Sequence, residues 1–411
     1  MQAGLPLALV AMFGGAALFV INERRVADKK TANEAKQQAE ALKARAEDEA
    51  RKSLSSFAKH AARKALPEEL AKRFETLTAA ASSPELIAAV TKLNVEVPEG
   101  TPALEAFDPK ALAELDKWIA TLSHRSGNAI LVDSWFVNNK YGIQVARSPA
   151  DQRSIGGSYR HRDYFHGLRA QDFDPESEDD REALKAIGPI DHNNLSLVYR
   201  SSTSGLLKVA FSVPIWNRPA ETPASAGTVA DDRTDRPATP GSAAEPPAAD
   251  ASDAQADAAA APQSEGDLPK REVIGVLAMS VNVHEFNVLE EELAGGSEVV
   301  LIDLRADFIE KEPKSGLILH HPRLEKGQLA RVPQELLDTI NKANPITDPD
   351  FDGIKHFLDG DGYHDPLNPD TNVRYWGAFE PVRYEIGDAP AGVGPTDRVG
   401  WVVLVQKRML D

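Results

Sequence analysis

The chain has 411 residues, 42 % of them hydrophobic, enough for two or three ordinary domains with buried cores. Its formal net charge of −17 advertises no basic face for phosphates and argues against a nucleic-acid partner. Cysteine is absent, which removes disulfides, thiolate nucleophiles and cysteine-ligated zinc but leaves the compartment open.

From Ala3 to Ile21, "AGLPLALVAMFGGAALFVI" carries no charge and approaches the ~20 apolar residues a bilayer-spanning helix needs. Residues 1–22 therefore read as a transmembrane anchor. A cleavable signal peptide is the alternative, but no basic segment precedes the stretch and no Ala-x-Ala-like site follows it. Arg24, Arg25, Lys29 and Lys30 come directly after it, so the positive-inside rule alone would put the bulk of the chain in the cytoplasm. A polypeptide continuing upstream of Met1 would remove that conflict. Residues 23–66 lack Pro and Gly and are rich in Ala, Glu, Lys, Arg and Gln, which predicts one long helix. Its apolar face is thin, with Ala where a coiled coil would place Leu. It pairs weakly in a homodimer, leans on the domain that follows, or stands as a solvated stalk.

Leu112, Leu115, Trp118, Ile119 and Leu122 recur at helical spacing and predict an amphipathic helix ending near Gly127. Strands follow in "NAILVDSWFV", "YGIQVAR", "LSLVYRS" and "LLKVAFSVPIW". In the last of these Leu207, Val209, Phe211, Val213 and Ile215 alternate with Lys208, Ala210, Ser212 and Pro214, the pattern of a sheet with one side on a core. Between the second and third of these strands lies "SYRHRDYFHG", Ser158 to Gly167, with two arginines, two histidines, two tyrosines, a phenylalanine and an aspartate in ten residues.

Residues 218–269 are Pro, Ala, Asp, Ser and Gly with almost no large apolar side chain, and are expected to be disordered. Strand character resumes in "EVIGVLAMSVNVHEF", so the segment is expected to be an insertion in a hairpin. A smaller unit, residues 288–411, repeats the plan with strands in "SEVVLIDLRADFI" and "GLILHHP", a helix in "PQELLDTINKAN", and closing strands in "VRYWGAFEPVRY" and "VGWVVLVQKR". Within it, "DPDFDGIKHFLD" places Asp348, Asp350, Asp352, Gly353 and Asp359 at the spacing of a calcium loop. Against calcium, the last position is Asp rather than Glu, Lys355 stands where an apolar residue belongs, and the flanks do not read as a helix pair. An exposed acidic loop is the alternative. His320, His321, His356 and His364 have no metal-ligand spacing and are expected at the surface.

The order of anchor, stalk helix, "SWFVNNKYGIQVARSP", "SIGGSYRHRDYFHG", "LSLVYRSSTSGLLKVAFSVPIW", "VIGVLAMSVNVHEF" and then "VVLIDLRADFI", "LHHP", "YWGAFEPV" and "VGWVVLVQ" resembles a double Cache (dCache) sensor region. The nearest variety is attached to bacterial membrane serine/threonine protein kinases, and its Arg-x-aromatic-aromatic signature matches Arg162, Tyr164 and Phe165. The resemblance covers everything after the anchor except the insert. It implies an α+β fold with two PAS-like antiparallel-sheet units in tandem, membrane-distal over 67–287 and membrane-proximal over 288–411.

The chemistry of the Ser158–Gly167 cluster agrees with that resemblance. A guanidinium presents a planar fork of donors to a carboxylate, and aromatic rings wall the site. Arg162 with Tyr164 and Phe165 would then grip a small carboxylate-bearing molecule, with Tyr159, Trp135 and Arg147 as further pocket candidates. Alternatively the same residues tie a loop to the sheet, with Asp163 paired to Arg160 or Arg162. Amino-acid-binding members of the family carry an aspartate where Ser280 stands here, and Tyr199 and Ser201 add no carboxylate. A ligand without an α-ammonium group is thereby as well matched as an amino acid. The resemblance implies a single-pass, extracytoplasmic (periplasmic) sensor with no catalytic activity of its own, signalling through the N-terminal helix. An exported structural or adhesive protein is the alternative, and an enzyme has the least support, since neither Gly-x-Ser-x-Gly nor His-Glu-x-x-His occurs.

Overall fold

The computed structural model describes residues 5–97, 101–126, 130–168, 173, 177–218, 270–289, 296–307, 309–310, 313–348, 350–368, 370, 372–386 and 399–409. For residues 5–22, 126, 181, 287, 354 and 359–361 it describes the backbone alone. Helix α1 (Leu5–His60) runs through a π-helical turn (Ala61–Ala65) into α2 (Leu66–Ala81), and α3 (Pro84–Lys92), α4 (Ala103–Ala106) and α5 (Pro109–Ser126) follow. Strands β1 (Ser134–Asn139) and β2 (Gln144–Ser148) are succeeded by the short helices α6 (Asp163–His166) and α7 (Glu178–Ala186). Then come β3 (Asn194–Leu195), β4 (Tyr199–Arg200), β5 (Leu207–Trp216) and β6 (Val273–Asn282). The remainder comprises β7 (Ser297–Asp303), β8 (Leu317–His320), α8 (Gln334–Ala343), β9 (Leu358–Tyr363), β10 (Tyr375–Pro381) and β11 (Trp401–Arg408).

Two antiparallel sheets result, and they share one strand order. The first runs β2-β1-β6-β5-β3, with β4 also on β5, and the second runs β8-β7-β11-β10-β9. Counted within its own unit, each sheet places its first strand beside its last, and β1 and β7 are thus equivalent, as are β6 and β11. Strands β5 and β6 pair from Lys208↔Asn282 to Trp216↔Val273, so the Pro/Ala-rich insert joins two paired neighbours. Residues 219–269, where the sequence predicts disorder, lie outside the described residues.

The long helix threads both sheets. Residues 23–46 are exposed, and a buried stripe then begins at Ala50 and continues through Leu54, Ala58, Ala62, Leu66, Leu70, Phe74 and Leu77. Its first part packs on β10 and β11 and its second on β5 and β6, where Phe74 meets Phe211 edge-on at 5.5 Å. The helix was expected to end near Leu66, yet it continues to Ala81. The reason is local. Leu66 N–H donates to Ala61 O, one residue further back than in an α-helix, and Pro67 has no N–H to continue the ladder. The Ala62 carbonyl is satisfied from outside instead, by the Arg383 backbone N–H at 3.1 Å, so the chain need not break. Among the described residues no helix is long and apolar enough to cross a membrane. The predicted anchor, residues 1–22, falls outside them apart from the helical backbone of 5–22.

The alternation in β5 was read as one core-facing side, and the other side is also covered. Leu207, Val209, Phe211, Val213 and Ile215 join the core under the helices as expected. Ala210 lies in a separate cluster on the opposite face with Phe136, Tyr164, Phe165, Ile190, Val276 and Ala278. Lys208 is buried on that second face, and it is there that the candidate site forms.

Candidate functional site

The "SYRHRDYFHG" segment folds back over the outer face of the first sheet. Ser158 bridges Ile143, Tyr159 N–H donates to Gly142 O at 2.7 Å, and α6 makes a single turn. Gly167, at φ +70°, ends that turn with its N–H on Asp163 O, a conformation a side chain would strain. The turn seats Tyr164 over Phe136, ring centroids 5.0 Å apart, and beside Tyr199 at 5.5 Å.

A cavity of about 20 Å³ lies between the turn and the sheet. Seven predicted residues line it: Tyr159, Arg162, Tyr164, Arg147, Tyr199, Ser201 and Ser280. The structure corrects two others. Trp135 points from β1 into the core under the helices, because alternate residues of a strand face opposite ways. Phe165 is fully buried in the aromatic cluster behind Tyr164 and does not reach the cavity, so the walls are Phe136, Tyr164 and Tyr199. Sequence reasoning missed Ser134, Phe136, Gln144, Ser202 and Lys208, which complete the lining.

The electrostatics are one-sided. The Arg162 guanidinium sits over the Tyr199 ring at 5.5 Å, and among the described residues neither Arg162 nor Arg147 has a hydrogen-bond or ion-pair partner for its side chain. Asp163 does not pair with Arg160 or Arg162. Its Oδ2 accepts the Leu197 N–H at 2.8 Å, and Arg160 is spent on the Lys185 and Ile187 carbonyls. The expectation of a structural tie through Asp163 therefore fails for Arg162. The third cation, Lys208, is buried and held by Asp133, whose other oxygen accepts from Asn282 Nδ2 at 3.1 Å. Burial pushes the Tyr199 phenol up to about 12 against the opposing pull of Arg162, and burial likewise raises Tyr164 well above the usual phenol range. Both hydroxyls therefore stay protonated, as donors, at neutral pH. Ser280 Oγ lies 2.7 Å from Ser134 Oγ, so a hydroxyl pair and no carboxylate occupies this part of the lining.

The acidic loop does not assemble a cation site among the described residues. Asp348 Oδ1 caps the Asp350 N–H at 2.9 Å, Phe351 turns into the core, and Gly353–His356 forms a tight helical turn. Asp359 has its side chain outside the described residues. The one described group of three ligand side chains with donor atoms within 4.8 Å is Glu298, His321 and Asp365, on the second sheet. Its cation is already present: Arg323 pairs with Glu298 and, at 2.8 Å, with Asp365. His321 Nδ1 accepts the Arg323 backbone N–H at 2.9 Å, which puts the ring proton on Nε2, toward Asp365 Oδ2 at 3.1 Å. That nitrogen has no free lone pair for a metal. His320 and His321, expected at the surface, are both buried.

No family model and no curated protein matches the chain. Solved structures do. The V. cholerae histidine kinase DctB sensor domain aligns with 91 % of this chain and all 100 % of its own, at 12 % identity and a TM-score of 0.39. The solved structures that match this chain include sensor and ligand-binding domains. The extracellular domain of the putative histidine kinase rpHK1S-Z16 covers 89 % of this chain and 95 % of its own, at 15 % identity and 0.41. The ligand-binding domain of the Pseudomonas aeruginosa PAO1 amino acid chemoreceptor PctC, in complex with GABA, covers 86 % and 98 %, at 14 % identity and 0.35. At these scores the likeness decides neither ligand nor role.

Proposed function

We propose that the chain is a double Cache-type sensor region that takes a small, carboxylate-bearing molecule in the first sheet's outer pocket. The observation that carries this reading is the pair of guanidiniums, Arg147 and Arg162, with no hydrogen-bond or ion-pair partner among the described residues, converging with Lys208 on a cavity otherwise lined by hydroxyls, aromatic rings and one amide. Such a surface stabilises a delocalised anion through charge-assisted hydrogen bonds. The position of Ser280 favours a ligand that lacks an ammonium group.

The cavity of about 20 Å³ holds roughly one water molecule, so a ligand enters only when the covering turn moves. Binding then favours the open or re-closed arrangement by its differential affinity for the two. In this reading residues 1–22 anchor the chain, the rest lies outside the cytoplasm, and the change leaves along α1 to an output domain or partner across the membrane. The chain itself is a binding module. A thermal-shift screen of the full chain in detergent, pairing small organic acids with amines and amino acids of matched size, tests it. Acids should raise the melting temperature and amines should not; stabilisation by amines alone would refute the reading.

A further inference from the structure

Asp163 stands between two pocket residues, Arg162 and Tyr164, yet faces away from the pocket. Its carbonyl accepts from Asn194 Nδ2 at 3.0 Å and its Oδ2 accepts from the Leu197 N–H at 2.8 Å. It thereby grips both ends of the segment 194–197. The other side of that segment is held from the second sheet: Arg305 donates to the Leu195 and Ser196 carbonyls, each at 3.0 Å. Arg305 is aimed by Asp303, the last residue of β7, through Nη2 to Oδ2 at 2.7 Å and Nε to Oδ1 at 3.0 Å. The adjoining Leu304 N–H donates to Gly400 O, immediately before β11. Gly400 has to be glycine, because its φ is +73° and a Cβ there would lie 2.6 Å from Arg305 Cγ. Strand β11 packs against α1.

Two groups in this chain of contacts are unspent. Asp163 Oδ1 and Asn194 Oδ1 are buried and make no hydrogen bond among the described residues. Burial pulls the Arg305 guanidinium down, but Asp303 and then Asp163 more than offset it, so the Asp163 charge is felt at Arg305. A buried carboxylate oxygen left without a donor is a cost that movement of the turn would relieve.

We propose that Asp163, the segment 194–197 and Arg305 form the coupling element through which movement of the pocket turn reaches β7, β11 and the long helix. It rests on the proposed sensor reading only for what moves the turn; the coupling itself can be tested with no ligand present.

The test is hydrogen exchange with mass spectrometry on the full chain in detergent, for the wild type, Asp163→Asn, Arg305→Lys and the double variant. Lysine keeps the charge but lacks the planar fork that spans both carbonyls and the Asp303 carboxylate together. Asp163→Asn should speed exchange in 401–408 and 50–65 by roughly threefold or more, and that increase should vanish in the Arg305→Lys background. Helices 84–92 and 109–126, on the other face of the first sheet, should not change. The proposal is overturned by no change in 401–408, by the same increase with or without Arg305, or by a uniform rise along the chain. Failure of every organic acid to bind would refute the sensor reading while leaving this cycle unaffected.

Discussion

The Arg63 guanidinium of the π-helical turn donates from Nε to the buried Oε1 of Glu380, on β10, at 2.7 Å. Its Nη2 reaches the Phe351 carbonyl at 3.0 Å, and Glu380 Oε2 accepts the Gly353 N–H at 3.3 Å. With the Arg383 N–H on Ala62 O, these contacts fix the helix to the second sheet at the one point where its hydrogen-bond ladder is interrupted.

Removing Arg63 strands a buried carboxylate. Because Arg63 is itself partly solvated, Arg63→Ala should cost about 3 kcal/mol, toward the lower end for a broken buried pair. Glu380→Gln, which keeps the shape and an acceptor, should cost less than half as much. Urea unfolding of both variants measures this; equal losses would show that charge is not what Glu380 supplies.

His320 predicts the acid response. Burial lowers its pKa to about 4 from the usual 6.5, while the unfolded chain titrates normally. As pH falls from 6.5 to 4 the unfolded state takes up a proton that the folded state refuses, so this residue's share of stability is lost across that window and is level outside it. The loss should amount to roughly 3 kcal/mol. His320→Gln should flatten that part of the stability profile, and an unchanged slope would assign it to other groups.

The insert should be dispensable. Asn217 N–H donates to Glu272 O at 2.9 Å, which closes the β5–β6 ladder below it. Deleting Ala220 through Glu265 and joining the ends with a Gly-containing turn should leave stability equal or higher by up to ~2 kcal/mol, since each halving of a loop contributes about 0.6 kcal/mol. Lower stability on urea titration would mean that the segment packs against the rest of the chain.

Much of this architecture was legible in the sequence because it is local. Period-two runs located the long strands β5 and β11, resumed strand character located β6, and the Arg-aromatic density of Ser158 to Gly167 located the turn over the site. What escaped depends on contacts far apart in the chain. Lys208 alternates with apolar residues and read as the open side of a strand, but α6 and its flanks cover that side. Trp135 is an aromatic next to the site in sequence, and strand parity turns it away. The long helix was expected to end near Leu66, and only Arg383, more than three hundred residues later, shows why it continues. His320 and His321 are polar in composition and buried in fact, because Asp365, Arg323 and the His284 carbonyl supply their partners.

The central claim is that Arg162 is a ligand-binding guanidinium, and titration calorimetry on wild type and Arg162→Ala, alongside their unliganded melting curves, tests it most directly. The probe is whichever organic acid stabilises the wild type most strongly. Since the Arg162 side chain has no hydrogen-bond or ion-pair partner among the described residues, its loss should change unliganded stability by no more than about 0.5 kcal/mol. Affinity for the acid should fall roughly 10- to 100-fold, the worth of charge-assisted hydrogen bonds. A large drop in unliganded stability with affinity retained would contradict the account.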